Sequence, residues 1–207
     1  MNISQNISDF FMAGGIFMYP LLICSIIVIA VIVHRLINVR RSLIMPPSLV
    51  KTLEDCLQGK ASGEELQEAV RGDHSPLARL VDYVLSAPGN SEQERRVLIE
   101  ARAKEEFIHL QAGLPLLDMI IMIAPMFGIL GTASGLVIVF ASFGVEDNQG
   151  AISQGIANAL NTTIAGLAIA TPAVMANIWF SRRLEQTLSR MEMLITELIS
   201  WRFKVQG

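Results

Sequence analysis

Three long runs without a charged side chain divide this chain, at 10–33, 119–145 and 148–181. Each exceeds the roughly 20 residues that a helix needs to cross a hydrocarbon core of about 30 Å. Helices are the expected form, because a span must satisfy its own backbone hydrogen bonds. The pattern predicts an all-α, multi-pass membrane protein with three transmembrane helices. The expected segments are an N-terminal stretch 1–15, helices at 16–38, 118–143 and 153–180, a helical loop 39–117, a turn 144–152 and a helical tail 181–207. The third run, taken as one helix, would be about 50 Å long, so one or both of its ends must leave the bilayer. Leu184, Leu188, Met191, Leu194, Ile195 and Leu198 keep helical spacing beyond it, which carries the helix onward.

The 39–117 region alternates helical pattern with breakers. Pro46-Pro47 ends the helix that leaves the membrane, since proline lacks the donor a helix interior needs. Two short helices follow, at 49–57 and 64–70, separated by Gly59 and Gly63. Ser62 with Glu65, and Ser91 with Glu94, match the capping box. A third segment, 76–86, sets Leu77, Leu80, Val81 and Val84 on one side at helical spacing. From Ser91 the pattern predicts a long helix running straight into the second span, its many charges forming a solvated face and pairs between subunits.

Composition agrees with the hydropathy pattern. Of 207 residues 52% are apolar and 17% charged, and the mean hydropathy is +0.47; soluble domains carry about 25% charged residues. A buried soluble core does not explain three such runs in so short a chain. The first run has no basic residue before it and is longer than a signal-peptide core, so it reads as a retained anchor. If the chain crosses three times, all sixteen Lys and Arg fall on one side. Arg35, Arg40 and Arg41 follow the first span, Arg102 and Lys104 precede the second, and Arg182, Arg183 and Arg190 follow the third. The opposite side holds Asp9, Glu146 and Asp147. Counting flanking residues only, as a long loop requires, the N-terminus is expected outside and the C-terminus in the cytoplasm. On that topology Cys24 and Cys56 cannot meet, which excludes a disulfide framework. His34, His74 and His109 lack ligand spacing, and a slightly acidic loop gives little support to a nucleic-acid surface.

Spans two and three differ from the aliphatic first span. On the second, Pro125, Gly128, Thr132 and Gly135 share a helical face; on the third, Ala159, Thr163, Gly166 and Ala170 do. Small residues let membrane helices approach closely, and Gly131 with Gly135 forms a GxxxG pair. Simple helix packing accounts for such stripes as well as an ion path does. No acid, base or histidine lies within them, and Asp118 sits at the membrane interface. Asn158, Asn161, Thr162 and Thr163 are polar but do not titrate. A proton path normally needs an ionisable group in the membrane, so a conducting protein of this kind must borrow one, with Thr132 and Thr163 orienting water or bonding a partner's carboxyl.

The second span, APMFGILGTASG at 124–135, resembles the membrane signature of the MotA/TolQ/ExbB proton-channel family. The third, GIANALNTTIAGLAIATPAV at 155–174 and including Pro172, resembles its second signature. The opening AGGIFMYP at 13–20 and a span ending His34-Arg35-Leu36 are similar to the start of ExbB-type chains, and three spans match the ExbB/TolQ branch. The resemblance implies a bacterial inner-membrane subunit with a periplasmic N-terminus and a cytoplasmic C-terminus, embedded in membrane lipid. It further implies a homo-oligomer, a pentamer, whose second and third spans line a pore around a dimeric, single-span ExbD/TolR-like partner carrying a membrane aspartate. Ion flow, H⁺ with Na⁺ left open and no cofactor, then drives work on a TonB-like or Tol-like client. Thr132 and Thr163 correspond to the family's pore-facing threonines. Asn158 stands where relatives often carry an acid, and His34 where a Glu commonly precedes the Arg.

Two other classes remain in view. A membrane scaffold would use the stripes only for packing, with Gly131 and Gly135 essential and the hydroxyls dispensable. A membrane enzyme finds no nucleophile–base pair, metal cluster or phosphate loop to support it.

Overall fold

A computed structural model describes residues 15–38, 41–86, 92–141 and 149–206. Most of the N-terminal stretch, the centre of the turn between spans two and three, Arg40 and the Ser91 cap lie outside those residues. The described chain is helical throughout: α1 (Met18–Asn38), α2 (Arg41–Ile44), α3 (Pro47–Leu57), α4 (Gly63–Arg71), α5 (Pro76–Ser86), α6 (Glu92–Gln111), α7 (Leu114–Ala141) and α8 (Gln149–Gln206). Three of these, over Met18–Ile37, Leu114–Ala141 and Ile152–Phe203, are long and apolar enough to cross a membrane. The helices form two compact units, one from residues up to 34 with 113–179, the other from 35–112 with 180–206.

The first unit holds α1, α7 and the first part of α8. Met18, Leu21, Cys24 and Val28 recur on one face of α1 and bury against Leu117, Ile120 and Ala124 of α7 and Ala170 and Ala173 of α8. The outward faces are just as apolar. Ile23, Ile26 and Ile29 on α1, Met122, Met126 and Ile129 on α7, and Ile164 and Leu167 on α8 are exposed. Helices apolar on every side suit a surrounding that is itself apolar.

The second unit follows the ordinary amphipathic rule. Leu49, Leu53 and Cys56 of α3, Leu66 and Val70 of α4, and Leu77, Leu80, Val81 and Val84 of α5 are buried, and α3–α4, α4–α5 and α5–α6 are packed pairs. The second part of α8 buries Leu184, Met191, Leu194 and Leu198 while Arg183, Glu185, Gln186 and Glu192 stay exposed. The short helices start on local signals. Ser62 caps α4, its hydroxyl accepting the Glu65 N–H at 3.2 Å. Ser75 does the same for α5 through the Ala78 N–H at 3.2 Å, with Pro76 at the first helical position, where a missing donor costs nothing. The pair Pro46-Pro47 has two effects: α2 stops ahead of it at Ile44, and α3 begins on it, with Pro46 as the cap. Cys24 and Cys56 are both free and buried.

Two expectations change here. The helix expected to run from Ser91 into the second span is interrupted: α6 ends at Gln111 and α7 starts at Leu114. Gly113 between them has φ +90°, a conformation open mainly to glycine. Arg35, itself 3% exposed, donates to the carbonyls of Leu110, at 2.9 Å, and Ala112. A cation on the last carbonyls of α6 satisfies acceptors that have no helical partner and meets the negative end of the helix dipole. The α6 charges are also not all a solvated face. Glu106 is 3% exposed and accepts two hydrogen bonds from Arg79 of α5, at 2.9 and 2.6 Å. Arg102 adds a contact at 3.6 Å, and Arg79 also donates to the His74 carbonyl at 3.0 Å. Those Arg79 bonds hold the Glu106 carboxyl below its ordinary range against the opposing effect of burial.

Candidate functional site

Helices α7 and α8 meet along a seam built from small residues. A Cβ added at Gly128 would lie 3.1 Å from the Thr163 Cα; at Gly131 it would run into the Thr162 side chain; at Gly135 it would lie 2.7 Å from the Ala159 Cβ. From the other side, Gly155 faces Val139, and Gly166 faces the Ala124 carbonyl oxygen, 2.6 Å from where its Cβ would be. Partners rise on one helix as they fall on the other, which is the register of an antiparallel pair. Backbones this close require the absence of side chains, the contact that holds membrane helices together where lipid removes the hydrophobic drive.

Within the seam lie the two threonines singled out by sequence. The Thr132 hydroxyl reaches the Gly128 carbonyl at 3.1 Å, the Ala159 carbonyl at 3.1 Å and the Thr163 hydroxyl. The Thr163 hydroxyl reaches the Gly128 carbonyl at 3.0 Å. Both residues are half-buried. Each hydroxyl has one proton to give, so these four contacts share two protons. The Gly128 and Ala159 carbonyls, four residues before Thr132 and Thr163, also take the helical N–H of those threonines, so the hydroxyls share the remaining acceptor capacity.

The remaining sequence candidates divide. Gly128, Gly131, Gly135, Ala159 and Gly166 build the seam, and Ala170 joins the apolar cluster shared with α1. Pro125 is half-buried within α7, and Pro172 is exposed on α8. Asn158 is half-buried one turn ahead of Thr162, whose hydroxyl bonds the Asn158 carbonyl at 3.2 Å. This places Asn158 on the line of Thr162, while Ala159 and Thr163 form the line that meets Thr132. His34 ends the first unit with no role in the seam. Among the described residues no cluster of three or more His, Cys, Asp or Glu is placed to hold a metal.

One polar pair escaped the sequence reading. Asn177 of α8 donates from Nδ2 to the Asp118 carboxylate of α7 at 2.6 Å. The other amide atom, Asn177 Oδ1, is buried with no hydrogen-bond partner. Both residues belong to helices long and apolar enough to cross a membrane, with Asp118 exposed near the start of α7 and Asn177 half-buried on α8. The two positions are 59 residues apart, and only the register of α7 on α8 brings them together; a carboxylate near a span end is otherwise unremarkable.

Known proteins resemble the chain over this same region. The sequence profile of the MotA/TolQ/ExbB proton channel family matches residues 65–193, which takes in the whole α7–α8 seam. ExbB-like protein 1 of Synechocystis sp. is 32% identical over 175 residues, covering 81% of this chain and 67% of that one. Biopolymer transport protein exbB1 of Vibrio cholerae is 28% identical over 194 residues, 90% of this chain and 84% of the relative. An ExbB homolog of Methanothermobacter thermautotrophicus is 24% identical over 206 residues, 99% and 73% respectively.

Proposed function

This chain belongs to the MotA/TolQ/ExbB proton channel family, and from that premise we propose that it is the multi-pass subunit of an ion-driven energiser serving biopolymer transport. It is an inner-membrane protein whose spans are the three apolar helices. In the proposed assembly the chain forms a homo-pentamer around a dimeric, single-span ExbD/TolR-like partner, with its N-terminus periplasmic and its C-terminus cytoplasmic. Proton flow through the partner's membrane carboxylate is turned into work on a client, TonB-like for uptake or Tol-like for envelope integrity. The seven-segment division given by the sequence is kept as the proposed topology.

One observation supports the reading above the others: the Thr132–Thr163 cluster, with two hydroxyls on two backbone carbonyls inside a span pair. No residue of 119–145 or 148–181 is ionisable by charge. Hydroxyl oxygens suit a donor brought from outside, and a protonated carboxyl is such a donor; Na⁺, which takes oxygen ligands, also suits them. Asn158 retains a proposed part in ion choice.

The seam itself favours a second reading. Gly131 and Gly135 are in such close contact with Thr162 and Ala159 that a scaffold using them only for packing would look the same there. Thr132→Val and Thr163→Val separate the two, because valine keeps the shape and deletes the hydroxyl. The energiser requires that both variants co-purify with a single-span partner at wild-type yield yet lose proton flux in proteoliposomes. Full flux in both would leave the scaffold reading.

A further inference from the structure

Asp118 and Asn177 stand in the same register as the threonine pair. Asp118 precedes Thr132 by fourteen residues on α7, and Asn177 follows Thr163 by fourteen on α8. Fourteen residues are about 21 Å and nearly four whole turns, within about 40° of a common face. The two cross-helix contacts are thus two rungs of one antiparallel ladder. Pro125 and Ala170 stand midway between them, and Pro125 deprives the Ile121 carbonyl of its usual helical donor.

Asp118, exposed in the structure and at the membrane interface by sequence, is placed to meet water, and ionisable side chains in membrane segments commonly mark ion or proton paths. A clamp between helices would explain the Asn177–Asp118 bond, but not the buried amide oxygen left over beside it. An ionised carboxylate only accepts; a protonated one also donates. A primary amide and a carboxylic acid complement each other completely, N–H to one carboxyl oxygen and carboxyl O–H to the amide oxygen. The atom without a partner, Asn177 Oδ1, is the acceptor that protonated Asp118 would supply with a donor.

We propose that Asp118, held by Asn177, is a proton-exchange station of this chain, at the end of the α7–α8 seam remote from the threonine pair. The carboxylate takes a proton from hydronium, releasing water, and its new O–H donates to Asn177 Oδ1; the reverse step returns the proton to water. Among the elements packed around it, α8 brings no titratable side chain between Gln149 and Trp179, while α1 brings Tyr19, Cys24, His34 and the cationic Arg35. The station rests on the proposed function, since an exchange site matters only where protons pass. It lies outside the hydroxyl cluster, so the two can fail separately.

The test uses the full chain co-purified with its single-span partner in proteoliposomes. Asp118→Asn keeps an amide able to bond Asn177 and removes the exchangeable proton. Flux is expected to fall about 100-fold, the scale on which a positioned proton-transfer group acts, while Asp118→Glu restores it with a displaced pH profile. Infrared difference spectra are expected to contain a protonated-carboxyl C=O band that grows as pH falls, is absent from Asp118→Asn and shifts in Asn177→Leu. Should Asp118→Asn fail to assemble, the band shift in Asn177→Leu carries the test. Wild-type flux in Asp118→Asn, or no Asp118-dependent carboxyl band at any pH, overturns the station. Thr132→Val at wild-type flux instead counts against the proposed function; loss in Thr132→Val alone removes only Asp118.

Discussion

The two parts of α8 are held by opposite chemistries. Between Gly155 and Ala173 it buries glycine, alanine and threonine against α7 and α1. Between Phe180 and Ile199 it buries Phe180, Leu184, Met191, Leu194 and Leu198 and exposes charge. In water, large apolar side chains gain by leaving the solvent. In lipid they gain nothing by facing a helix instead, so association rests on close contact and on hydrogen bonds. One continuous helix thus changes its packing rule along its length, and what stabilises either part would not stabilise the other.

The sharpest way to break that contrast is Gly166→Leu. The added Cβ would meet the Ala124 carbonyl at 2.6 Å, a backbone atom that cannot rotate away. Loss of about 3 kcal/mol or more is expected, from the upper range of overpacking costs, read as a lower thermal midpoint in detergent. Leu80→Ala tests the opposite rule in the second unit. Leu80 is 0% exposed, and a cavity there is expected to cost about 3 kcal/mol, with the α7–α8 seam unaffected when probed by a cross-link between its helices. A residue large by one rule and small by the other would thus destabilise each unit in turn.

A smaller effect comes from Arg79→Met, which leaves the Glu106 carboxylate buried with only the longer Arg102 contact. About 2 kcal/mol is expected, the scale of a hydrogen-bonded charge. Its pH dependence has a fixed sign. Because Glu106 has a depressed pKa in the folded chain, its contribution is complete above the unfolded carboxyl value, about 4.3. It declines as pH falls below that value and is gone below the folded one. Glu106→Gln should flatten that part of an acid-unfolding curve. Ser62→Ala is the mildest change, removing the cap on the Glu65 N–H for about 1 kcal/mol, measurable by denaturant titration.

Much of this architecture was legible in the sequence. Uncharged runs mark the spans, breakers and caps mark α3 to α5 to within two residues, and the heptad-like spacing after Arg183 carries α8 to Gln206. The threonine pair was legible too, because each residue belongs to a stripe of its own helix. What escaped depends on contacts between distant segments. Gly113 and Pro115 are breakers two residues apart that the apolar run after them overshadowed, and Arg35 marks the end of α6 only once its guanidinium is seen on the Leu110 and Ala112 carbonyls. Glu106 looked like one charge among many on α6, since its burial depends on Arg79 of another helix. Asn177 had no visible partner until the seam fixed its height against Asp118.

The buried thiols have a practical consequence. Cys24 is 8% exposed and Cys56 is fully enclosed; burial, with Glu65 nearby, pushes the Cys56 thiol up, away from the reactive thiolate. A single cysteine installed at a water-facing position of the second unit such as Gln186, which is exposed, would outcompete both for a maleimide. Spin labels or fluorophores can therefore be attached at chosen heights on the wild-type background, and any turning of the helices followed without first removing the native sulfurs.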